Sequence, residues 1–210
     1  MMESQNRYIE VDTPAADPAV TLANAKDHLH VTDTDSDAYI PLLVTLATRI
    51  YEERANTSLC TQTLILHLDR FPVNQGPIYL PRGPVQTVAS LYYVNTSGTA
   101  VEFPVASYVV DINRSVATIR PAYGFTWPAS REQDGAVYIE YDAGYGDDDT
   151  DLVDIADMPV HAIKLLVGHF FEHRESVEAA SGGGTLSHDV PETFDALVNL
   201  DPHRYMPPQE

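Results

Sequence analysis

Cysteine is almost absent from this 210-residue chain: Cys60 stands alone, so no intrachain disulfide can form, and the composition fits a reducing compartment. Lysine is nearly as scarce, with Lys26 and Lys164 the only two among 12 basic residues. Set against 31 acidic residues, this leaves a formal net charge of −19. A surface of that sign repels phosphate, which disfavours sequence-independent gripping of DNA and binding to anionic lipid. No apolar run approaches the roughly 18 residues of a membrane-spanning helix. The opening MMESQNRYIEVD has neither the basic start nor the apolar stretch of a signal peptide. The GxSxG, P-loop and Rossmann glycine patterns are also missing. What remains is an expectation of a soluble protein with no membrane partner, whose hydrophobic content of 44% is ordinary for a globular fold.

Periodicity supplies the elements. Thr21 is placed to cap a short helix, TLANAKDHLHV, with Leu22, Ala25 and Leu29 on one face. After the loop VTDTDSDA, with Ser36 or Asp37 as the expected cap and Pro41 near the first turn, Ile40, Leu43, Val44, Ala47, Ile50, Tyr51 and Arg54 recur at helical steps. At Thr57 the period changes, and Gln62, Leu64, Leu66 and Leu68 alternate with Thr61, Thr63, Ile65, His67 and Asp69 at strand spacing. Turn-rich stretches then separate strand candidates near 77–80, 86–95, 107–111, 116–120 and 136–142. Pro159 is read as opening a second long helix with a stripe of Val160, Ile163, Val167, Phe170, Phe171 and Arg174, and Leu165 on another face. SGGG at 181–184 reads as a break, and PETFDALVNL as a short helix burying Phe194, Leu197 and Val198.

The expected fold class is α+β: a small helical bundle, two N-terminal helices plus a long C-terminal one, carrying an inserted antiparallel β-module. The corresponding divisions are a flexible arm over 1–20, helical core over 21–57, β-module over 58–146, acidic loop and long helix over 147–178, and a hinge with a C-terminal docking segment over 179–210.

Few constellations carry chemistry. His169, Glu172 and His173 match H-x-x-E-H, two histidines at i and i+4 that with a third ligand would hold zinc, Glu172 serving as general base. A zinc-dependent hydrolase is therefore the enzymatic alternative, weighed against an ordinary exposed helix end. Asp33, Asp35 and Asp37 imitate the first positions of a calcium loop, but Ala38 and Val44 stand where the turn glycine and bidentate glutamate belong. Asp147, Asp148, Asp149, Asp151, Asp154 and Asp157 read as a solvated acidic run. Cys60 reads as a small hydrophobe. The expectation is no enzyme, no metal and no cofactor.

Five strings occur in fixed order: TQTLILHLDRFP from Thr61, IYLPRGPVQTVASLYYV from Ile78, RPAYGFTWP from Arg120, VYIEYDAGYGD from Val137 and PVHAIKLLVGHFFEHRE from Pro159. Over about residues 21 to 178 this order resembles the head–tail connector (adaptor, or head-completion) proteins of long-tailed double-stranded DNA bacteriophages. The resemblance implies a structural protein of the virion neck, made in the host cytoplasm. It further implies a cyclic homo-oligomer, typically a dodecamer, docked below a portal protein and offering a platform to a stopper or tail-completion protein. DNA would pass through the lumen without sequence-specific binding. It also implies that the C-terminal segment engages the portal, here through Phe194, Leu197, Leu200 and Tyr205. A tail-completion or minor capsid protein of similar fold is the remaining alternative.

Overall fold

The computed structural model describes residues 7–147, 157–173, 177–179, 185–187, 192–201 and 204. Residues 7–16 and 61–144 gather into one compact unit, and residues 17–60 with the described part of 145–204 into a second.

The first unit is built from two antiparallel sheets. Strands β1 (Arg7–Thr13), β2 (Gln62–Leu68), β4 (Val85–Val94), β5 (Ala100–Glu102) and β8 (Val137–Ala143) form a five-stranded sheet in the order β1-β2-β8-β4-β5. Strands β3 (Ile78–Leu80), β6 (Tyr108–Asp111) and β7 (Ala117–Pro121) form a three-stranded sheet in the order β3-β7-β6. The alternation read in β2 is realised: Gln62, Leu64, Leu66 and Leu68 are buried and the residues between them only half-buried. The same strict alternation runs through β8, where Val137, Ile139, Tyr141 and Ala143 face inward. These meet Leu80, Leu91, Ile119, Phe71 and Trp127 in a continuous apolar core. Register is thereby fixed, since a one-residue slip would turn the leucines of β2 to solvent.

The second unit is helical. Helix α1 (Leu22–Leu29) begins as its sequence suggests, with Thr21 Oγ1 accepting from the Asn24 N–H at 3.3 Å. Helix α2 (Ile40–Ala55) buries Ile40, Leu43, Val44, Ala47, Tyr51 and Ala55 and ends on Asn56 in the left-handed region. Neither Ser36 nor Asp37 caps α2; the cap position is Tyr39, without a side-chain bond. Helix α3 (Asp157–Glu172) starts two residues before Pro159, which lies buried in its first turn, and α3 packs against α2. Leu166 and Ala162, absent from the expected stripe, are buried there, while Leu165 is half-buried. Helix α4 (Glu192–Leu200) packs against both α2 and α3. Strands β9 (Val177–Ala179) and β10 (Thr185–Ser187) pair with each other.

Two expectations need correction. The fold is not a helical bundle with an inserted module. Among the described residues it has four helices and two antiparallel sheets of eight strands, besides the β9–β10 ribbon, with helix and strand about equal in extent. The physical reason is that the sheets enclose a hydrophobic core of their own, running from Leu64 to Ala143, and so form a unit instead of hanging on the helices. Second, residues 7–13, read as part of a flexible arm, form edge strand β1, pairing with β2 from Arg7↔Leu68 to Thr13↔Thr63. Ile9 packs on the core while Tyr8 and Glu10 point away, so even this short segment alternates.

Candidate functional site

Four of the five sequence strings contain the residues that close the first unit, while the fifth supplies α3 of the second. Phe71 of the LDRFP string stacks on Trp127 of the YGFTWP string, ring centroids 4.9 Å apart and 11° from parallel. The Trp127 indole N–H donates to the Gly76 carbonyl at 2.9 Å. The LPRGPVQ string meets the start of β2 and the end of β8: Gln86 Nε2 donates to Thr61 Oγ1 and to the Gly144 carbonyl, each at 2.9 Å. Gly144 N–H in turn donates to the Pro84 carbonyl, and Tyr141 Oη donates to the Pro81 carbonyl at 2.7 Å. These bonds hold a prolyl corner that has no N–H of its own to contribute. The strings are thus architectural, brought together by packing and backbone bonds.

The residues of the H-x-x-E-H motif sit together at the end of one helix. His169 and Glu172 end α3, and His173 lies just past it, with Nδ1 3.0 Å from the His169 carbonyl oxygen and the two rings 5.0 Å apart. Among the described residues, no group of three or more His, Cys, Asp or Glu side chains is arranged to hold a metal ion. The calcium-like loop is occupied from within: Lys26 Nζ donates to the Asp33 carbonyl at 2.5 Å and to Asp37 Oδ1 at 2.6 Å. An ammonium group therefore sits where a cation would be sought, tying α1 to the loop before α2. Of the second acidic run only Asp147 and Asp157 lie among the described residues. Cys60 is buried.

The expected docking residues occupy different environments. Phe194 is fully buried in the helical unit, edge-on to Tyr51 at 6.1 Å, with the Arg54 guanidinium over its ring. Arg54 also pairs with Asp195 on the same helix. Leu197 is half-buried, Leu200 is 63% exposed, and Tyr205 lies outside the described residues, as does SGGG.

Sequence reading missed the group that fixes this segment. Asp201, one residue past α4, is 5% exposed and accepts hydrogen bonds from Tyr51 Oη at 2.9 Å and Tyr145 Oη at 2.7 Å. Burial first, with the Asp201 carboxylate second, pushes both phenols far above the ordinary tyrosine range, so each stays a donor. Tyr51 and Asp201 are 150 residues apart in sequence, and only the closing of α2, α4 and the segment after β8 brings them together. A lone aspartate after a short amphipathic helix gives no local signal of this role.

No protein-family model and no curated protein sequence matches the chain. Solved structures do. A chain in a structure described as "Neck of empty GTA particle computed with C6 symmetry" superposes with a TM-score of 0.71 at 23% identity, covering 96% of this chain and 97% of that one. A second, from "Virion of native gene transfer agent (GTA) particle", gives 0.71 at 22% identity over 95% and 94% of the two chains. A third, from "Neck of native GTA particle computed with C12 symmetry", gives 0.67 at 24% identity over 90% and 94%. These similarities establish that the fold is shared over nearly the whole length.

Proposed function

We propose that the chain is a structural protein of a phage-like particle neck: a head–tail connector that forms a ring below the portal, extends the DNA channel and joins the capsid to the tail or stopper protein. The observation that carries this reading is the nearly end-to-end fold match to chains of a particle neck, one of them computed with twelve-fold symmetry. The ordered strings independently suggest the connector family, and their residues build the scaffold itself. Heterologous head-to-tail contacts close into a ring when the rotation permits. A net charge of −19 suits a channel wall, because a wall that repels phosphate lets DNA pass without retaining it.

Within this reading, α4 is the element that meets the portal. Leu200 presents the exposed side chain and Leu197 flanks it, while Phe194 and Asp201 anchor the helix from behind; Tyr205 belongs to the same docking segment. The chemistry is binding and no bond is made or broken. The test is reconstitution: capsids carrying the portal but lacking neck proteins are mixed with the purified chain and imaged. A ring of new density on the portal supports the assignment. Binding to the capsid shell or to tail tips, with a bare portal, refutes it in favour of a minor capsid or tail-completion protein.

A further inference from the structure

We propose that the outer face of the five-stranded sheet is a docking surface for an arginine-bearing segment of another protein. On this face, opposite the core, the register lines up Tyr8, His67, Tyr138, Tyr92 and Glu102 in one row across all five strands. Tyr8 and His67 stack with centroids 4.4 Å apart and planes 11° apart, and Tyr92 and Tyr138 stack at 5.2 Å and 10°. His67 and Tyr138 bridge the two pairs at 6.2 Å. The adjoining row carries Glu10, Ile65, Glu140 and Ser90, and the row beyond it holds Thr63, Asp142 and Thr87.

Cross-strand aromatic pairs stabilise a sheet on their own account, but they do not explain the charge beside them. Glu10, Glu102, Glu140 and Asp142 share this face, and none of the residues in these rows is Lys or Arg. Asp142 accepts from Thr63 and Thr87 hydroxyls at 2.9 and 2.8 Å, and Glu140 from Ser90 at 3.2 Å. Hydroxyls orient these carboxylates without neutralising them. His67, 3.3 Å from Glu10, is charged only when protonated.

The geometry selects among cations and against other ligands. The rings spend their inner faces on one another, which leaves the outer face of Tyr8 to meet a ligand. The outermost ring, Tyr8, is on edge strand β1 and 51% exposed, with no strand of the sheet beyond it among the described residues. Glu10 projects from the same side of β1, about 7 Å farther along the strand. A guanidinium stacks on an aromatic face and pairs with a carboxylate through a planar fork, whereas an ammonium offers only a point charge. The negative face excludes phosphate and nucleic acid. Complementarity of charge and shape therefore points to arginine on a protein partner, wherever the chain itself resides.

The test titrates the full-length chain with an extended Arg-Thr repeat peptide, and with Lys-Thr and Glu-Thr peptides and chitohexaose, by calorimetry at about 0.1 M salt. The Arg-Thr peptide is expected to bind about three- to tenfold more tightly than the Lys-Thr peptide. Tyr8→Ala is expected to weaken it about three- to fivefold and Glu10→Gln about two- to fivefold. Tyr123→Ala, which removes a fully exposed ring elsewhere in the same unit, leaves affinity unchanged. Equal affinity for the two basic peptides would reduce the effect to net charge and overturn the proposal. So would indifference to Tyr8→Ala and Glu10→Gln with unchanged circular dichroism, preferential binding of the sugar, or self-association abolished by Tyr8→Ala, which would make a second copy the occupant.

Discussion

Replacing Asp201 by alanine is the most informative single perturbation of the helical unit. The carboxylate accepts from two phenols, at 2.9 Å from Tyr51 and 2.7 Å from Tyr145, and is itself 5% exposed. Hydrogen bonds to a charged group contribute about 1.5–3 kcal/mol each, and a buried donor left unpaired costs about 1–3 kcal/mol. Tyr51 is fully buried and cannot turn to water, whereas Tyr145 is half-buried and recovers part of its loss. The expected cost of Asp201→Ala is therefore about 3–5 kcal/mol, a large share of a typical domain's stability. Tyr51→Phe and Tyr145→Phe should each cost about 1–2 kcal/mol, and the two effects should not add because they share one acceptor. Urea unfolding followed by circular dichroism at 222 nm reports the helices, while Trp127 fluorescence reports the β unit in which it is buried. Hydrogen exchange over 192–200 should rise in the variant. The linkage is alkaline: both phenols have raised pKa values in the fold, so their contribution is complete below pH 10 and is lost as pH rises above it. A loss below about 1 kcal/mol, with amides of α4 still protected, would refute the idea that this carboxylate holds the C-terminal helix in place.

Other consequences follow from single sites. His28 faces His161, Lys164 and His30, and burial first, then these neighbours, lower its pKa. Its folded value being depressed, stability is complete above pH 6.5 and declines as pH falls below it, and His28→Gln should flatten that part of the pH–stability curve. Thr57, two residues past α2, is fully buried and its hydroxyl has no hydrogen-bond partner among the described residues. Thr57→Val should therefore raise stability by about 1 kcal/mol in urea unfolding. Leu200→Asp should leave the unfolding midpoint within about 0.5 kcal/mol of wild type, because the side chain is 63% exposed, yet abolish attachment to portal-bearing capsids in a sedimentation assay.

Local elements were legible because their periods are local. The stripe of α2 was visible as Ile40, Leu43, Val44, Ala47 and Tyr51, all of which are buried, although Ile50 is only half-buried and Arg54 is exposed. Alternation in β2 gave its inward face residue by residue. The balance of the fold was not legible, because it depends on pairings such as Leu66↔Ile139 and Ile9↔Leu66 that join distant segments and leave no mark in any window of sequence. Strand β1 hid for the same reason: seven residues with one small alternation look like an arm until β2 is set beside them. Among the residues expected to dock, Phe194 lies buried in a short helix, and what buries it, Tyr51 and the Arg54 guanidinium, comes from α2. Asp201 gave no signal because the partners described for it, Tyr51 and Tyr145, come from a helix stripe and from the far end of the β-module.

The function proposed for this chain depends on where it sits in an assembled particle. Cryo-electron microscopy of particles that contain it, reconstructed at the neck without imposed symmetry, tests this most directly. The account predicts a closed ring of copies directly below the portal, enclosing the DNA channel, with 192–201 of each copy against the portal. A neck fully explained by other chains, with this one absent or scattered elsewhere in the particle, would contradict it.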